Sequence, residues 1–229
     1  MWHAKIYGGY GFESQEARDN IQEMNWMMNE WGYTLEAQAG IIGNLNWESR
    51  MNPWKWQGDH ITGDFQNGYG LFQYTPAKRY FNHCADKPYY APSLSTTEET
   101  PGMSPEDGIC QMNSLRDNEL HDWLNYGWRR YWDKEAYVDM YERFTTAMDN
   151  WGTNGRLSLA AYSQITDERD AAILFMACYL GPGADHEPNW RVRIQSAHQC
   201  LDWLSTDPRP TPGQSTSKMI YYLRPLWWN

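Results

Sequence analysis

Apolar residues recur at helical spacing in two stripes in the first part of the chain. Each stripe follows a residue whose hydroxyl can cap a helix N-terminus, Ser14 in the first case and Thr34 in the second. Gly32 lies between them and is a residue type that commonly ends a helix. The pattern predicts one helix from Ser14 through Trp31 and another from Thr34 to about Glu48. The first stripe consists of Ala17, Ile21, Met24 and Met28, and the second of Ala37, Ile41, Leu45 and Glu48.

The rest of the chain carries four more helical patterns, separated by segments rich in turn-forming residues. Thr166 is the expected N-cap of the third pattern. Residues 52–75 alternate polar and apolar positions around several glycines, which predicts loops and a short β-hairpin. We therefore expect a mainly α fold of the α+β class, a helical domain with one small β-hairpin. The four helical patterns lie near Glu106–Leu124, Asp133–Met148, Asp167–Tyr179 and Trp190–Leu204.

Two segments have the composition of a loop or linker. Pro, Ser and Thr are frequent between about residues 85 and 105, which we interpret as an insertion. Residues 206–218 have a similar composition and precede an aromatic tail, which either packs back on the domain or docks into a larger assembly. We expect one domain over residues 1–205, followed by a linker and tail over residues 206–229.

Composition narrows the class of protein. The chain has 229 residues with a net charge of −10, which argues against a nucleic-acid partner because phosphate binding needs clustered Lys and Arg. It also has 14 Trp, 16 Tyr and 6 Phe, too many aromatic side chains for a disordered protein. Aromatic rings suit ligands with one apolar and one polar side, such as sugars, although a Trp-rich core is the alternative.

Targeting and membrane signals are weak. The first residues lack the apolar stretch of a secretory signal, so we expect the protein to reach any extracellular target by another route. The longest apolar run, from Ala171 to Leu180, is too short to cross a bilayer, and we expect no transmembrane segment.

The cysteines and histidines do not indicate a metal centre. No Cys-x-x-Cys motif and no pair of His at ligand spacing occurs, so we expect neither a metal nor another cofactor. Cys84 and Cys110 bracket the insertion, and they are either a disulfide or two reduced thiols. Cys178 and Cys200 lie on apolar stripes and are expected to pack in the core.

Glu48 is the first candidate for chemistry. It lies on the apolar stripe of its predicted helix, in the last turn. Apolar surroundings and the negative end of the helix dipole both favour a protonated carboxyl group. A carboxylic acid that keeps its proton near neutral pH is what a glycosidase uses to protonate a leaving sugar oxygen. The alternative is that Glu48 only ends the helix, paired with Arg50.

A second group of candidates lies 16 to 25 residues further on. Gly68-Tyr69-Gly70 predicts a turn that leads into a short strand, where Gln73 can hydrogen-bond a sugar or an acetamide group. Asp64 precedes this turn, and we expect it to be able to face Glu48 across a groove. An opposed pair of carboxyl groups is typical of glycoside hydrolysis, in which one is the acid and the other a base or charge stabiliser.

These motifs resemble a known family. Gly-Asn-x-x-x-Glu-Ser at residues 43–49, Asn-Pro at 52–53 and Gly-Tyr-Gly-Leu-Phe-Gln-Tyr-Thr-Pro at 68–76 are similar to the phage tail lysozymes. They are more distantly similar to goose-type lysozymes and soluble lytic transglycosylases. Residues 175–179 and the helix after them resemble the closing helices of the tail lysozymes more loosely. Together the resemblance covers roughly residues 14–205.

The resemblance implies a lysozyme-like fold, with Glu48 as general acid. It also implies that Asp64 is the second carboxylate, with Asp59 in reserve, and that Gln73 and Tyr74 line the sugar groove. Tyr69 and Trp54 flank the motifs and are the further candidates for substrate binding. Two positions depart from the relatives' patterns, because Leu180 and Thr75 stand where some of those proteins carry an acid.

The resemblance implies a virion-associated peptidoglycan hydrolase. It would cleave the bond between N-acetylmuramic acid and N-acetylglucosamine during phage entry, as part of a phage tail that acts in the bacterial cell wall. Its partners would be peptidoglycan and other tail proteins. Two alternatives stay open: a lytic transglycosylase that uses Glu48 alone, and a structural tail protein that binds glycan without cleaving it.

Overall fold

The computed structural model describes residues 2–3, 6, 12, 14–57, 66–84, 105–119, 137–181 and 189–206. These residues are mainly helical, as the sequence predicts. Two helices, α4 and α7, continue without a break into one wider π-helical segment each, at Leu115–Glu119 and Met176–Leu180. The α-helices of the described residues are α1 (Gln15–Glu30), α2 (Leu35–Glu48), α3 (Ala77–Cys84), α4 (Pro105–Ser114), α5 (Val138–Trp151), α6 (Leu159–Ser163), α7 (Glu168–Phe175) and α8 (Trp190–Thr206).

The two N-terminal helices begin where the sequence predicts. The Ser14 hydroxyl accepts a hydrogen bond from the Ala17 amide at 3.4 Å, and the Thr34 hydroxyl accepts one from the Ala37 amide at 3.1 Å. Each cap satisfies an amide at the start of a helix that would otherwise lack a partner. The apolar stripe of α1 is buried along its length, so the periodicity of the sequence identified the correct face.

Helix α2 lies at the centre of the described core and packs against both α7 and α8. All side chains and glycines from residue 37 to residue 45 are buried. Two glycines bring the neighbouring backbones close. A Cβ atom on Gly40 would lie 2.5 Å from the Ala171 Cβ, and one on Gly43 would lie 2.5 Å from the Ala197 backbone nitrogen. The last residues of α2 are therefore held between two helices that follow much later in the chain.

The later helices agree with the sequence in position and differ in detail. The N-cap of α7 is Asp167, whose carboxylate accepts the Arg169 and Asp170 amides at 2.9 Å each, and the expected cap Thr166 was wrong by one residue. Helices α3 and α6 were not predicted. Both have eight residues or fewer, which is too short for a periodic pattern to show.

The predicted β-hairpin is absent from the part of the chain that the structure describes, where isolated antiparallel bridges replace it. Trp56 pairs with Tyr69, and Tyr69 pairs with Tyr74. Gly70 and Gln73 both have a positive φ, of 81° and 50°, which turns the chain back within a few residues. The hydrogen-bond ladder of a β-hairpin cannot extend through such a turn. Residues 58–65, which belong to the segment where the hairpin was expected, lie outside the described residues.

Cys110, Cys178 and Cys200 are free thiols buried in the core. Cys110 therefore forms no disulfide, and the side chain of Cys84 lies outside what the structure describes. Burial raises the pKa of the Cys178 and Cys200 thiols, in keeping with the packing role expected for both. No helix in the described ranges is long and apolar enough to span a membrane. The expected insertion between α3 and α4, and the linker and tail after Thr206, lie outside the described residues.

Candidate functional site

Glu48 is the last residue of α2, and its side chain is 18% exposed. One carboxylate oxygen, Oε1, accepts a hydrogen bond from Nη2 of Arg193 at 2.6 Å. The ion-pair partner is therefore a residue of α8 and not the neighbouring Arg50. The other oxygen, Oε2, accepts no hydrogen bond from any residue that the structure describes. The carboxyl group is thus held through one oxygen, while the other has no hydrogen-bond donor among the described residues.

Arg193 is itself held in place. Its side chain is 3% exposed, and Nη1 donates a hydrogen bond to Oδ1 of Asn44 at 3.1 Å. The Asn44 amide nitrogen donates to the carbonyl oxygens of Gly40 at 2.8 Å and Ala172 at 2.9 Å, which fixes the orientation of the amide. Hydrogen bonds therefore connect α7, α2 and α8 and end at Glu48. A guanidinium that bridges two oxygen acceptors in this way is a rigid support.

The environment of Glu48 differs from the one that the sequence suggested. The apolar stripe of α2 predicts apolar neighbours, whereas the structure adds a buried positive charge in direct contact with the carboxyl group. The guanidinium attracts the ionised carboxylate. The pairing was not predicted because the two residues are far apart in the sequence, although Arg193 lies in the segment that resembles the closing helices of the tail lysozymes.

The chain reverses direction immediately after Glu48. Arg50 and Met51 both have a left-handed backbone, with φ values of 55° and 63°. The Met51 carbonyl accepts a hydrogen bond from the Asn20 side chain at 3.0 Å, and Asn52 Oδ1 accepts the Trp54 amide at 3.0 Å. The Glu-Ser and Asn-Pro parts of the motif therefore form one turn, buried except at Glu48 and Arg50, that fixes the end of α2.

The second motif is anchored through Tyr69, which is fully buried. Its hydroxyl donates to Asp107 of α4, and the Tyr80 hydroxyl donates to the same carboxyl group at 2.6 Å. Burial raises the pKa of Asp107 to about 7, against the opposing effect of hydrogen bonds from Tyr69, Tyr80 and Gln111. Because a side chain without exposed surface does not contact a sugar, we assign Tyr69 to the support of the loop.

Gly70 is required by close packing against α4. Its φ is 81°, and a Cβ atom on it would lie 2.4 Å from Oε1 of Gln111. That oxygen accepts the Leu71 amide at 2.6 Å, while the Gln111 amide nitrogen donates to the Pro53 carbonyl at 2.8 Å. Gln111 thus joins the turn after Glu48 to the second motif, which holds the two motifs together.

The remaining substrate-binding candidates point largely inward. The Gln73 side-chain amide donates to the Lys55 carbonyl at 3.1 Å and to the Gly70 carbonyl at 2.9 Å, and the side chain is half-buried. Tyr74 and Trp54 are both less than a tenth exposed. Of the sequence candidates, Gln73 therefore offers the most surface to a ligand. Asp64 and Asp59 lie outside the described residues.

The loosely similar segment at residues 175–179 contacts the second motif directly. The Phe72 ring lies 5.5 Å from the Tyr179 ring and 6.2 Å from the Phe175 ring, measured between centroids. The Tyr74 and Tyr179 hydroxyls are 3.3 Å apart. The first motif reaches the same helix through Asn44. All three segments that carry the resemblance are therefore joined around α7.

The arrangement provides one oriented carboxyl group with one oxygen that accepts no hydrogen bond from a described residue. Proton transfer needs no more than this on the acid side. In the ranges covered by the structure, no three His, Cys, Asp or Glu side chains form a group that could hold a metal ion.

Comparison with known proteins agrees with the motifs. Residues 19–100 match the phage tail lysozyme family, the family that the sequence resembles. The match includes both motifs and excludes α8, which carries Arg193. Morphogenesis protein 1 of Bacillus phage B103 is 43% identical over 51 residues, which is 22% of this chain and 14% of that protein. The chain thus matches only a small part of that relative's length. These similarities support a phage lysozyme-like role.

Proposed function

We propose that this chain, which matches the phage tail lysozyme family over residues 19–100, is a virion-associated glycosidase of bacterial peptidoglycan. It cleaves the bond between N-acetylmuramic acid and N-acetylglucosamine while the phage enters its host. The observation that carries the proposal is the fixed carboxyl group of Glu48, which Arg193 holds through Oε1, while Oε2 accepts no hydrogen bond from a described residue. Its partners are peptidoglycan and other proteins of the phage tail.

Glu48 acts as the general acid. In its protonated form Oε2 carries the proton and donates it to the glycosidic oxygen as the bond from that oxygen to the sugar C1 breaks. The carboxylate that results remains paired with the Arg193 guanidinium. Arg193 therefore stabilises the state after proton transfer, when the negative charge has formed on Glu48 and positive charge develops on the sugar ring.

The second half of the reaction needs a water and a group that activates it or stabilises the sugar cation. We assign this role to Asp64, with Asp59 as the reserve candidate, since two opposed carboxyl groups are the usual arrangement for glycoside hydrolysis. We keep Gln73 as the main substrate-binding residue, because its side chain has the largest exposed area of the described substrate-binding candidates. Tyr74 and Trp54 contribute the small part of each ring that is exposed. Tyr69 supports the loop that carries Gln73.

The fragments that the protein releases from purified peptidoglycan test the function. The full chain is incubated with sacculi, and the released fragments are analysed by mass spectrometry. Fragments with a reducing N-acetylmuramic acid end support the muramidase. Fragments lighter by one water, which carry an anhydro sugar, would instead assign a lytic transglycosylase that uses Glu48 alone. Binding to sacculi without any release of fragments would assign a structural glycan-binding protein and contradict the proposal.

A further inference from the structure

A cavity of about 390 Å³ lies between α5, α7 and α8. Its walls are mainly apolar, and Trp190 and Ile194 of α8 belong to them. The residues of α8 that line the cavity are three, four or seven positions apart, which is the spacing of one helix face. Arg193 lies on another face, where it contacts Asn44 and Glu48 of α2. The cavity and the Glu48 carboxyl group are therefore on different faces of the same helix.

Each of the three helices contributes an arginine to the lining, namely Arg143 of α5, Arg169 of α7 and Arg191 of α8. Arg191 is already engaged, because its Nη2 lies 2.6 Å from Asp139 and its guanidinium stacks 4.3 Å above the centroid of the Trp190 ring. We therefore assign Arg191 to the wall of the cavity. The other two arginines are the candidates for binding a ligand.

Arg143 and Arg169 both have unused hydrogen-bond donors. The ion pairs of Arg143 use Nη2 alone, which lies 2.6 Å from Asp170 and 3.3 Å from Asp167. Its Nε and Nη1 donate to no residue that the structure describes. The Arg169 side chain is 61% exposed, with Nε 3.7 Å from Glu168, and its guanidinium donates no hydrogen bond in the described ranges. A guanidinium with free donors binds a carboxylate through two parallel N–H groups.

The edge of the cavity carries negative charge beside these arginines. Asp167 contacts Arg143, and Glu168 lies close to Arg169 and accepts a contact from Nδ1 of His198 at 3.2 Å. A simple oxyanion would meet carboxylates as well as guanidinium groups here, and the net charge of −10 repels a polyanion at long range. A ligand that combines carboxylates, an ammonium group and apolar carbon atoms matches both the edge and the walls.

We propose that this cavity binds the peptide stem of peptidoglycan, a short peptide with free carboxylates, the ammonium group of a diamino acid, and methyl and methylene groups. The proposal rests on the proposed function, because that function supplies the polymer. The apolar groups enter the cavity beside Trp190, a carboxylate binds Arg169 and Arg143, and the ammonium group binds Asp167 or Glu168. This second contact with the wall lengthens the residence of the protein on its substrate without involving Glu48.

A peptide without any sugar tests the site. N-acetyl-L-alanyl-γ-D-glutamyl-L-lysine is titrated into the full wild-type chain, into Arg169→Gln and into Arg156→Gln by calorimetry. Arg169→Gln removes a guanidinium that makes no hydrogen bond in the described ranges, so the fold should persist. Arg156→Gln is the matched control, because Arg156 is exposed on the turn after α5 and does not line the cavity. We expect saturable binding to wild type, about tenfold weaker binding to Arg169→Gln and unchanged binding to Arg156→Gln.

Two further ligands check the chemistry. The same peptide with both carboxyl groups amidated should bind wild type at least about tenfold more weakly, since the guanidinium groups lose their partner. No saturable binding of the unmodified peptide up to about 10 mM, or equal affinities for wild type and Arg169→Gln, would overturn the proposal. Binding of poly(glycerol phosphate) that also depends on Arg169 and exceeds that of the peptide would overturn it in favour of a phosphate site.

The outcome for the cavity is separate from the outcome for the glycosidase, because the peptide has no glycosidic bond. Peptide binding by a chain that releases no fragments from sacculi would contradict the proposed function and leave the cavity site standing. Release of fragments by a chain that does not bind the peptide would contradict the cavity site alone.

Discussion

Glu48 and Arg193 are 145 residues apart in the chain, and their side chains meet at 2.6 Å between Oε1 and Nη2. The contact joins the last residue of α2 to the first turn of α8. It depends on the close approach of these helices at Gly43 and Ala197. The candidate acid is therefore a product of tertiary packing as much as of its local motif.

Arg193 is a positioning residue, and charge-conserving and charge-removing variants separate its roles. We expect Arg193→Gln to lower kcat more than tenfold with little change in KM, because it leaves the carboxyl group without its cation. It should also lower the free energy of unfolding by about 3–5 kcal/mol, the usual cost of breaking a buried ion pair. Arg193→Lys keeps the charge and should restore part of kcat. Steady-state kinetics and urea unfolding measure both effects.

The control for Arg193 is Arg191→Gln, which removes an exposed guanidinium from the same helix. It should change kcat less than about twofold and stability by less than about 1 kcal/mol, since exposed ion pairs contribute little. If Arg193→Gln lowers stability but leaves kcat of the folded protein intact, Arg193 is structural only. Equal kcat losses in Arg193→Lys and Arg193→Gln would likewise argue against positioning by charge.

Gly43 tests the packing that brings the pair together. A methyl group there would lie 2.5 Å from a backbone nitrogen of α8, which cannot move without shifting the helix. We expect Gly43→Ala to destabilise the protein by about 1–3 kcal/mol and to lower activity of the remaining folded fraction. Gly32→Ala is the control, because its methyl group enters open space and only the left-handed φ of 79° opposes it. It should cost about 1–2 kcal/mol and leave activity unchanged. Wild-type activity in folded Gly43→Ala would refute the role of this contact.

The buried carboxyl group of Asp107 is expected to make the free energy of unfolding depend on pH. Burial raises the pKa of this carboxyl group to about 7 in the folded state, from its ordinary value of 3.8. The folded state therefore binds the proton more tightly than the unfolded state. Protonated Asp107 therefore adds to the free energy of unfolding. This stabilisation is fully present below about pH 3.8, decreases as the pH rises, and is lost above about pH 7. The free energy of unfolding changes by at most about 1.4 kcal/mol per pH unit.

Asp107→Asn isolates this contribution, since an amide accepts a hydrogen bond from one tyrosine and donates one to the other without titrating. The difference in unfolding free energy between wild type and Asp107→Asn is measured by urea titration at pH 4 to 8. We expect Asp107→Asn to gain stability relative to wild type as the pH rises toward 7. The matched control is Asp139→Asn, which makes the same substitution at an exposed position. A difference that is independent of pH would contradict the burial argument.

Local features of the fold followed from the sequence, and non-local ones did not. Ser14 and Thr34 were identified as caps because a cap needs only the residues that follow it. Arg193 was not identified as the partner of Glu48, since helix packing brings it there from the far end of the domain. Tyr69 was proposed as a substrate-binding residue, and its burial was not predicted because its acceptor, Asp107, lies beyond the insertion and no local pattern connects the two. Asp64 remains a prediction.

The resemblance located both motifs, and the structure gives their residues physical roles. Gly43 lets α8 pack close to α2, and Gly70 lets the Gln111 side chain pack against the second motif, because neither residue has a Cβ atom. Asn44 orients Arg193 through a hydrogen bond. Sequence patterns alone placed Gly43 and Asn44 on a helix and Gly70 in a turn, and did not indicate these contacts.

The most direct test of the account is the rate at which Glu48→Gln releases fragments from purified peptidoglycan, compared with Glu36→Gln in the first turn of the same helix. Both variants replace a carboxylate by an amide, and circular dichroism checks that both fold. We predict that Glu48→Gln loses at least about a hundredfold in kcat while Glu36→Gln stays within about twofold of wild type. A Glu48→Gln protein that digests peptidoglycan at the wild-type rate would contradict the assignment of Glu48 as the acid.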